Sequence, residues 1–217
     1  MKKLLFILIL IFVFSSFFAA DMIANTDVDG KNINSGENPF GNFAAAAIKG
    51  KTGASVAVIA AQSFNQNGAI AKGSFTENDL KGMFSSPNNS IVVLNLSEKE
   101  IYEMFERSVN IVPQGSSAFL QVAGATVSFN SSKPSNSRIN SISIGGNSIS
   151  KTGTSAFSVA MPLDLGRGGN GYIRIFSPNA IENLQTTSYT LFSAVTGYIK
   201  DIPSIDFKID DRIKDTK

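Results

Sequence analysis

An α+β fold, with helices packed on an antiparallel or mixed sheet, is predicted by three observations. Two capping boxes, Thr76-Glu77-Asn78-Asp79 and Ser97-Glu98-Lys99-Glu100, open helices in the first half of the chain. Two short apolar runs, 55–61 and 91–96, have the length and Val/Ile content of strands buried on both faces. From Phe119 onward the apolar period changes to two, in short runs broken by Gly124, Pro134 and Gly145-Gly146, the pattern of antiparallel strands and hairpins.

Taken in order, residues 1–20 read as a secretory signal peptide. Lys2 and Lys3 precede an apolar stretch from Leu4 to Phe18 that ends at Ala19-Ala20. The stretch stops short of the roughly 20 residues of a membrane span, so membrane association is expected only through an uncleaved leader. Residues 21–37 are polar and read as a loosely packed arm, and 38–200 as the folded domain. Residues 43–49 suit a short Ala-rich helix ended by Gly50. The second capping box opens a helix that carries Ile101, Met104, Phe105 and Val109 at helical spacing. Glu98, Glu100, Glu103 and Glu106 then read as a solvated face. Residues 157–161 and 172–176 are expected as strands flanking a Gly-rich turn, and 190–200 as a last helix. The remainder, 201–217, is a charged tail in which Ile202, Ile205, Phe207 and Ile209 could form an edge strand or dock on a partner.

Composition excludes several chemistries. The 217 residues contain no His and no Cys, so no His-dependent base, thiol nucleophile or disulfide is available. Removing Lys2 and Lys3 from 19 Lys+Arg leaves 17 against 17 Asp+Glu. A neutral mature chain gives no electrostatic reason for a nucleic-acid partner. Gly166-Arg167-Gly168-Gly169-Asn170-Gly171 matches G-x-G-x-x-G in letters, but strand-like residues follow it where a dinucleotide site needs a helix. A tight turn is the better reading. No G-x-S-x-G elbow is present, and Asp27-Val28-Asp29-Gly30 is too little of an EF-hand loop. No metal ligand set, cofactor site or catalytic residue is expected.

Several modest motifs stand in a fixed order. They are Gly41-Asn42-Phe43, the run 56–60, Ile70-x-x-Gly73-x-Phe75-Thr76, Ile91-Val92-Val93-Leu94 and Phe105-Glu106-x-Ser108-Val109. Gly115-x-x-x-Phe119-Leu120-Gln121-Val122-x-Gly124, Ser137-Arg138-Ile139 and Gly168-Gly169-Asn170-Gly171-Tyr172 follow. Together they resemble the C-terminal domain of the 5′-nucleotidase/UDP-sugar hydrolase family. In that family, the resemblance implies, a separate metallophosphoesterase domain performs hydrolysis. The C-terminal domain stacks a nucleobase between two Phe rings, with Asn, Arg and Asp for polar contacts.

Carried over residue by residue, the scaffold motifs persist and the ligand motifs do not. The family's Asn falls on Gln62 and its Arg on Asn67. The two stacking Phe positions fall on Pro87 and Asp164, and the Asp of Gly-Gly-Asp-Gly on Asn170. Base–aromatic stacking contributes about 1–3 kcal/mol per base, so these losses imply weak nucleotide affinity. Phe64 and Phe84 could supply a substitute aromatic surface, lining an amide-rich cleft suited to a neutral sugar. The chain is thus expected to be an exported, periplasmic or extracellular, non-catalytic binding or interaction module. Its partners would be a nucleoside, nucleotide sugar or neutral sugar, or else a cell-surface protein. Two other roles are open: accessory substrate-binding subunit of a separately encoded phosphoesterase, or surface structural protein.

Overall fold

Residues 22–217 are described by the computed structural model, so the leader expected over 1–20 lies outside them. The chain runs β1 (Met22–Ala24), β2 (Val28–Asp29), α1 (Pro39–Thr52), β3 (Val56–Ala60), β4 (Ala69–Ile70), β5 (Gly73–Phe75), α2 (Glu77–Gly82) and β6 (Ser90–Ser97). It continues through α3 (Glu98–Val109), β7 (Leu120–Ala123), β8 (Ala125–Phe129), β9 (Ile139–Ile144), β10 (Asn147–Ser148) and β11 (Ala156–Pro162). Then come α4 (Leu163–Gly166), α5 (Pro178–Glu182), β12 (Gln185–Thr190), α6 (Leu191–Ile199) and β13 (Ile213–Asp215), with 3-10 turns at Ala61–Ser63 and Gly169–Arg174.

Sequence chemistry explains the helix ends. The Asn38 side chain accepts from the Phe40 and Gly41 amides, Pro39 occupies the first helical turn, and Gly53 closes α1 at φ 68°. The helix is therefore longer than the expected 43–49 segment: Gly50 is absorbed and Gly53 stops it. The capping boxes at Thr76 and Ser97 are both formed. A third, Thr190 with Ser193, opens α6.

A five-stranded sheet of order β12-β6-β11-β3-β7 forms the middle layer. Its β3 and β11 are parallel, while the other neighbours are antiparallel. Alternation along the strands sends Val56, Val58, Leu94, Val159 and Met161 to one face and Ala57, Ile59, Ile91 and Ala160 to the other. The second face is covered by α1 and α6. The first is covered by α3 and by a four-stranded sheet of order β10-β9-β8-β13.

Several expectations are corrected. Residues 21–37 do not form a loose arm. Strands β1 and β2 pair with β5 and β4, and Ile33 is fully buried. The tail also docks: Ile205 and Phe207 enter the core beside α1, and β13 pairs in parallel with β8. Residues 172–176 turn rather than extend, because Gly168, Asn170 and Gly171 all have positive φ. Tyr172 and Phe176, four apart, then stack at 5.8 Å. Residues 185–190, not expected as a strand, form β12, and helices and strands interleave along the whole chain.

Three of the four α3 carboxylates act as built-in acceptors, and only Glu103, beside Lys99, stays on a solvated face. Glu106 is buried and accepts from the backbone of Arg138 (2.6 Å) and Ile139 (3.1 Å). Glu98 accepts from the Ser150 amide at 2.8 Å. Burial pushes the Glu100 carboxyl up, but hydrogen bonds from Ser177 and Ser97 outweigh that and hold it below the usual range. Asp215 is likewise held low, by Ser131 and Lys217, against the effect of burial. A carboxyl depressed in the folded state contributes stability that is present above its unfolded pKa and lost as pH falls through its folded pKa. The chain also has no histidine. The melting temperature is therefore expected to be flat from about pH 5.5 to 8 and to fall below about pH 4.5. Thermal unfolding across pH checks this, and a step between pH 6 and 7 would contradict it.

Candidate functional site

Parallel strands β3 and β11 end side by side, and each turns at once into a short helical segment. Loops at the carboxyl ends of adjacent parallel strands are a common place for a ligand in α/β sheets. Here the first loop supplies Gln62 and the second Asp164. Gln62 Nε2 donates to Asp164 Oδ2 at 2.6 Å, and Asp164 Oδ1 accepts from the Leu165 amide at 2.7 Å. Both side chains are half-buried.

The Gly-rich turn closes over this pair. A Cβ on Gly169 would lie 2.6 Å from Asp164 O, and one on Gly168 would lie 2.5 Å from Ile173 Cα, so both positions need glycine. Asn170 Nδ2 donates to Ser117 O at 3.2 Å, and its Oδ1 accepts from Ser117 Oγ at 3.1 Å. Arg107, from the last turn of α3, donates through Nε (2.7 Å) and Nη2 to Asn170 O, and its guanidinium lies 5.4 Å from the Tyr172 ring centroid. The fully buried Tyr172 hydroxyl donates to Ala118 O at 2.6 Å. Burial pushes that phenol's pKa far up, so Tyr172 serves as a fixed neutral donor.

Three of the residues singled out from sequence, Gln62, Asp164 and Asn170, thus surround one loop junction. Pro87 lies two residues beyond Ser85, whose amide donates to Ser63 O, and its own carbonyl accepts from the Phe192 amide. Asn67 is exposed in a turn held by Asn65, away from these contacts. Phe64 and Phe84 do not offer an aromatic surface. They are 3% and 5% exposed and stack on each other at 5.8 Å inside the core beneath α1. Sequence reasoning missed Arg107 and Ser117. Glu103 stands four residues before Arg107 and suggests a solvated helix pair, yet Glu103 faces Lys99 at 3.8 Å.

No group of three or more His, Cys, Asp or Glu among the described residues stands close enough to hold a metal ion. No helix among them is long and apolar enough to cross a membrane. A central mixed sheet, with helices on one side and a helix and second sheet on the other, and loops gathered where two parallel strands end, defines an α+β domain. Residues 19–177 match the family model described as 5′-nucleotidase, C-terminal domain. The chain belongs to that family.

The trifunctional nucleotide phosphoesterase protein YfkN of Bacillus subtilis (strain 168) is 26% identical over 205 residues. That match covers 90% of this chain and 14% of that protein. A 5′-nucleotidase precursor from Thermus thermophilus superposes with TM-score 0.78 at 20% identity, over 89% of this chain and 38% of that one. The NAD nucleotidase of Haemophilus influenzae gives TM-score 0.68 at 15% identity, over 89% and 37% respectively. The chain therefore spans well under half the length of these relatives, and the likeness to the solved structures is one of fold.

Proposed function

We propose that this chain is an exported, non-catalytic binding or interaction module built on the nucleotidase C-terminal fold, with its nucleoside grip replaced by internal hydrogen bonding. The Gln62–Asp164 bond supports this most directly. At two positions where the resemblance implies a polar base contact and a stacking ring, an amide and a carboxylate satisfy each other. Asn170, at the expected acidic position, turns its amide onto Ser117, where a carboxylate would face the Ser117 carbonyl. Phe64 and Phe84, the two rings expected to replace the stacking pair, belong to the core. Export is supported by the reading of residues 1–20. The arm and tail, both packed on the body, are assigned to the same folding unit.

Thermal-shift measurements with AMP, adenosine, UDP-glucose and free sugars test the reading. A ligand at about 100 times its Kd stabilises by roughly 2.7 kcal/mol, worth several degrees for a chain of this size. AMP, adenosine and UDP-glucose at about a hundred times a micromolar Kd are expected to leave the midpoint unmoved. A shift of several degrees with any of them would instead make the chain a substrate-binding subunit.

A further inference from the structure

A cavity of about 300 Å³ is lined by Tyr102, Glu103, Arg107, Asn110, Asn136 and Lys151, together with Ile175 and the buried Glu106, and by none of Gln62, Asp164 and Asn170. Its size is at the small end for ligand pockets. Two cations line it, and neither makes an ion pair among the described residues. Arg107 is held rigidly by two hydrogen bonds to Asn170 O and by the Tyr172 ring. A guanidinium has five N–H donors, so three remain, at its Nη end. That end suits a planar oxyanion held in two places.

Lys151 Nζ sits 5.9 Å from the Tyr102 ring centroid, leaving the ammonium open to a second contact. Two carboxylates share the lining with these cations, each with a donor of its own facing it. Glu106 accepts from two backbone amides, and Glu103 faces Lys99. The Tyr102 ring gives an apolar wall, and the side-chain amide groups of Asn110 and Asn136 donate to no described residue. We propose that this cavity binds a small sugar acid: a carboxylate between Arg107 and Lys151, with its hydroxylated ring against Tyr102 and the two asparagines. This goes beyond the reading above, because it places a ligand outside the family's nucleoside positions.

Isothermal titration calorimetry of the full chain with glucuronate, glucose and inorganic phosphate tests it. Glucuronate is expected to bind about tenfold or more tightly than glucose, and more tightly than phosphate. Arg107 also braces the Asn170 turn, so the informative variant is Lys151→Gln, on an exposed loop. It should weaken glucuronate about tenfold while leaving the melting temperature unchanged. Asp164→Asn, in the first cluster, should leave glucuronate binding untouched. The proposal is overturned if glucuronate does not bind, if glucose or phosphate binds as well, or if Lys151→Gln has no effect. It is overturned equally if Asp164→Asn abolishes the binding, since the ligand would then sit at the loop junction. None of these results bears on whether AMP binds, so the two readings fail separately.

Discussion

Phe40→Ala is expected to destabilise the chain by about 3–5 kcal/mol, the range for deleting a fully buried aromatic side chain. The ring has no exposed surface and sits at the meeting point of four segments. Phe64 lies edge-on to it at 5.9 Å, Phe84 is tilted against it at 5.2 Å, and Phe207 at 6.1 Å. One side chain of α1 thereby joins the loop after β3, the segment after α2 and the segment leading to β13. Aromatic pairs add about 0.5–1.5 kcal/mol each beyond the apolar area they bury, and close neighbours leave little room for collapse around the hole. Urea unfolding near neutral pH measures the loss. A value below about 1 kcal/mol would show that these rings are not the anchor of this half of the core.

Gln121→Leu is the second large effect, expected at about 3–5 kcal/mol with almost no change of side-chain volume. Gln121 is fully buried. Its Oε1 accepts from the Asn38 amide at 3.0 Å, and its Nε2 donates to Ile33 O at 3.0 Å and Gly36 O at 2.8 Å. Leucine would leave an amide and two carbonyls buried without partners, each at a cost of about 1–3 kcal/mol. All three groups belong to residues 33–38, so the damage is directional. Limited proteolysis of the variant should cut first before Pro39, while the sheet core persists. Uniform loss of protection along the chain would argue against this lock.

That lock also shows where sequence reasoning sees and where it does not. Gly41 and Gln121 were legible as members of ordered family motifs, but their reason was not. A methyl on Gly41 would lie 2.4 Å from Gln121 Cγ, so the glycine exists to admit the glutamine. The capping boxes at Thr76 and Ser97 and the strands β3, β6 and β11 were legible because their signals are local. The packing of residues 21–37 and 201–217 was not. Ile33, Ile205 and Phe207 are single apolar residues among polar neighbours, and only partners distant in sequence reveal them as core. Residues 172–176 misled for a related reason: Tyr172 and Phe176 fit either period, and the positive φ values of the preceding turn decide between them. At the candidate site, motif order singled out Gln62, Asp164 and Asn170, which the fold gathers at one loop junction. It said nothing of the mutual hydrogen bonding that changes what they can do, nor of Arg107.

The junction between the two ends of the described chain has a temporal consequence. Asn42 Nδ2 donates to Glu37 Oε1, to Lys208 O at 3.1 Å and to Asp210 Oδ1 at 3.0 Å. Arg212 returns hydrogen bonds to Asn42 O and Val122 O. Residues separated by more than 160 positions thus share one side chain of α1. Contacts of such long range close late, because the loop between them must be ordered first. A chain emerging from its N-terminus holds Glu37 and Asn42 open until residues 208–213 arrive. Closure of this junction therefore waits for the last stretch of the chain to be made.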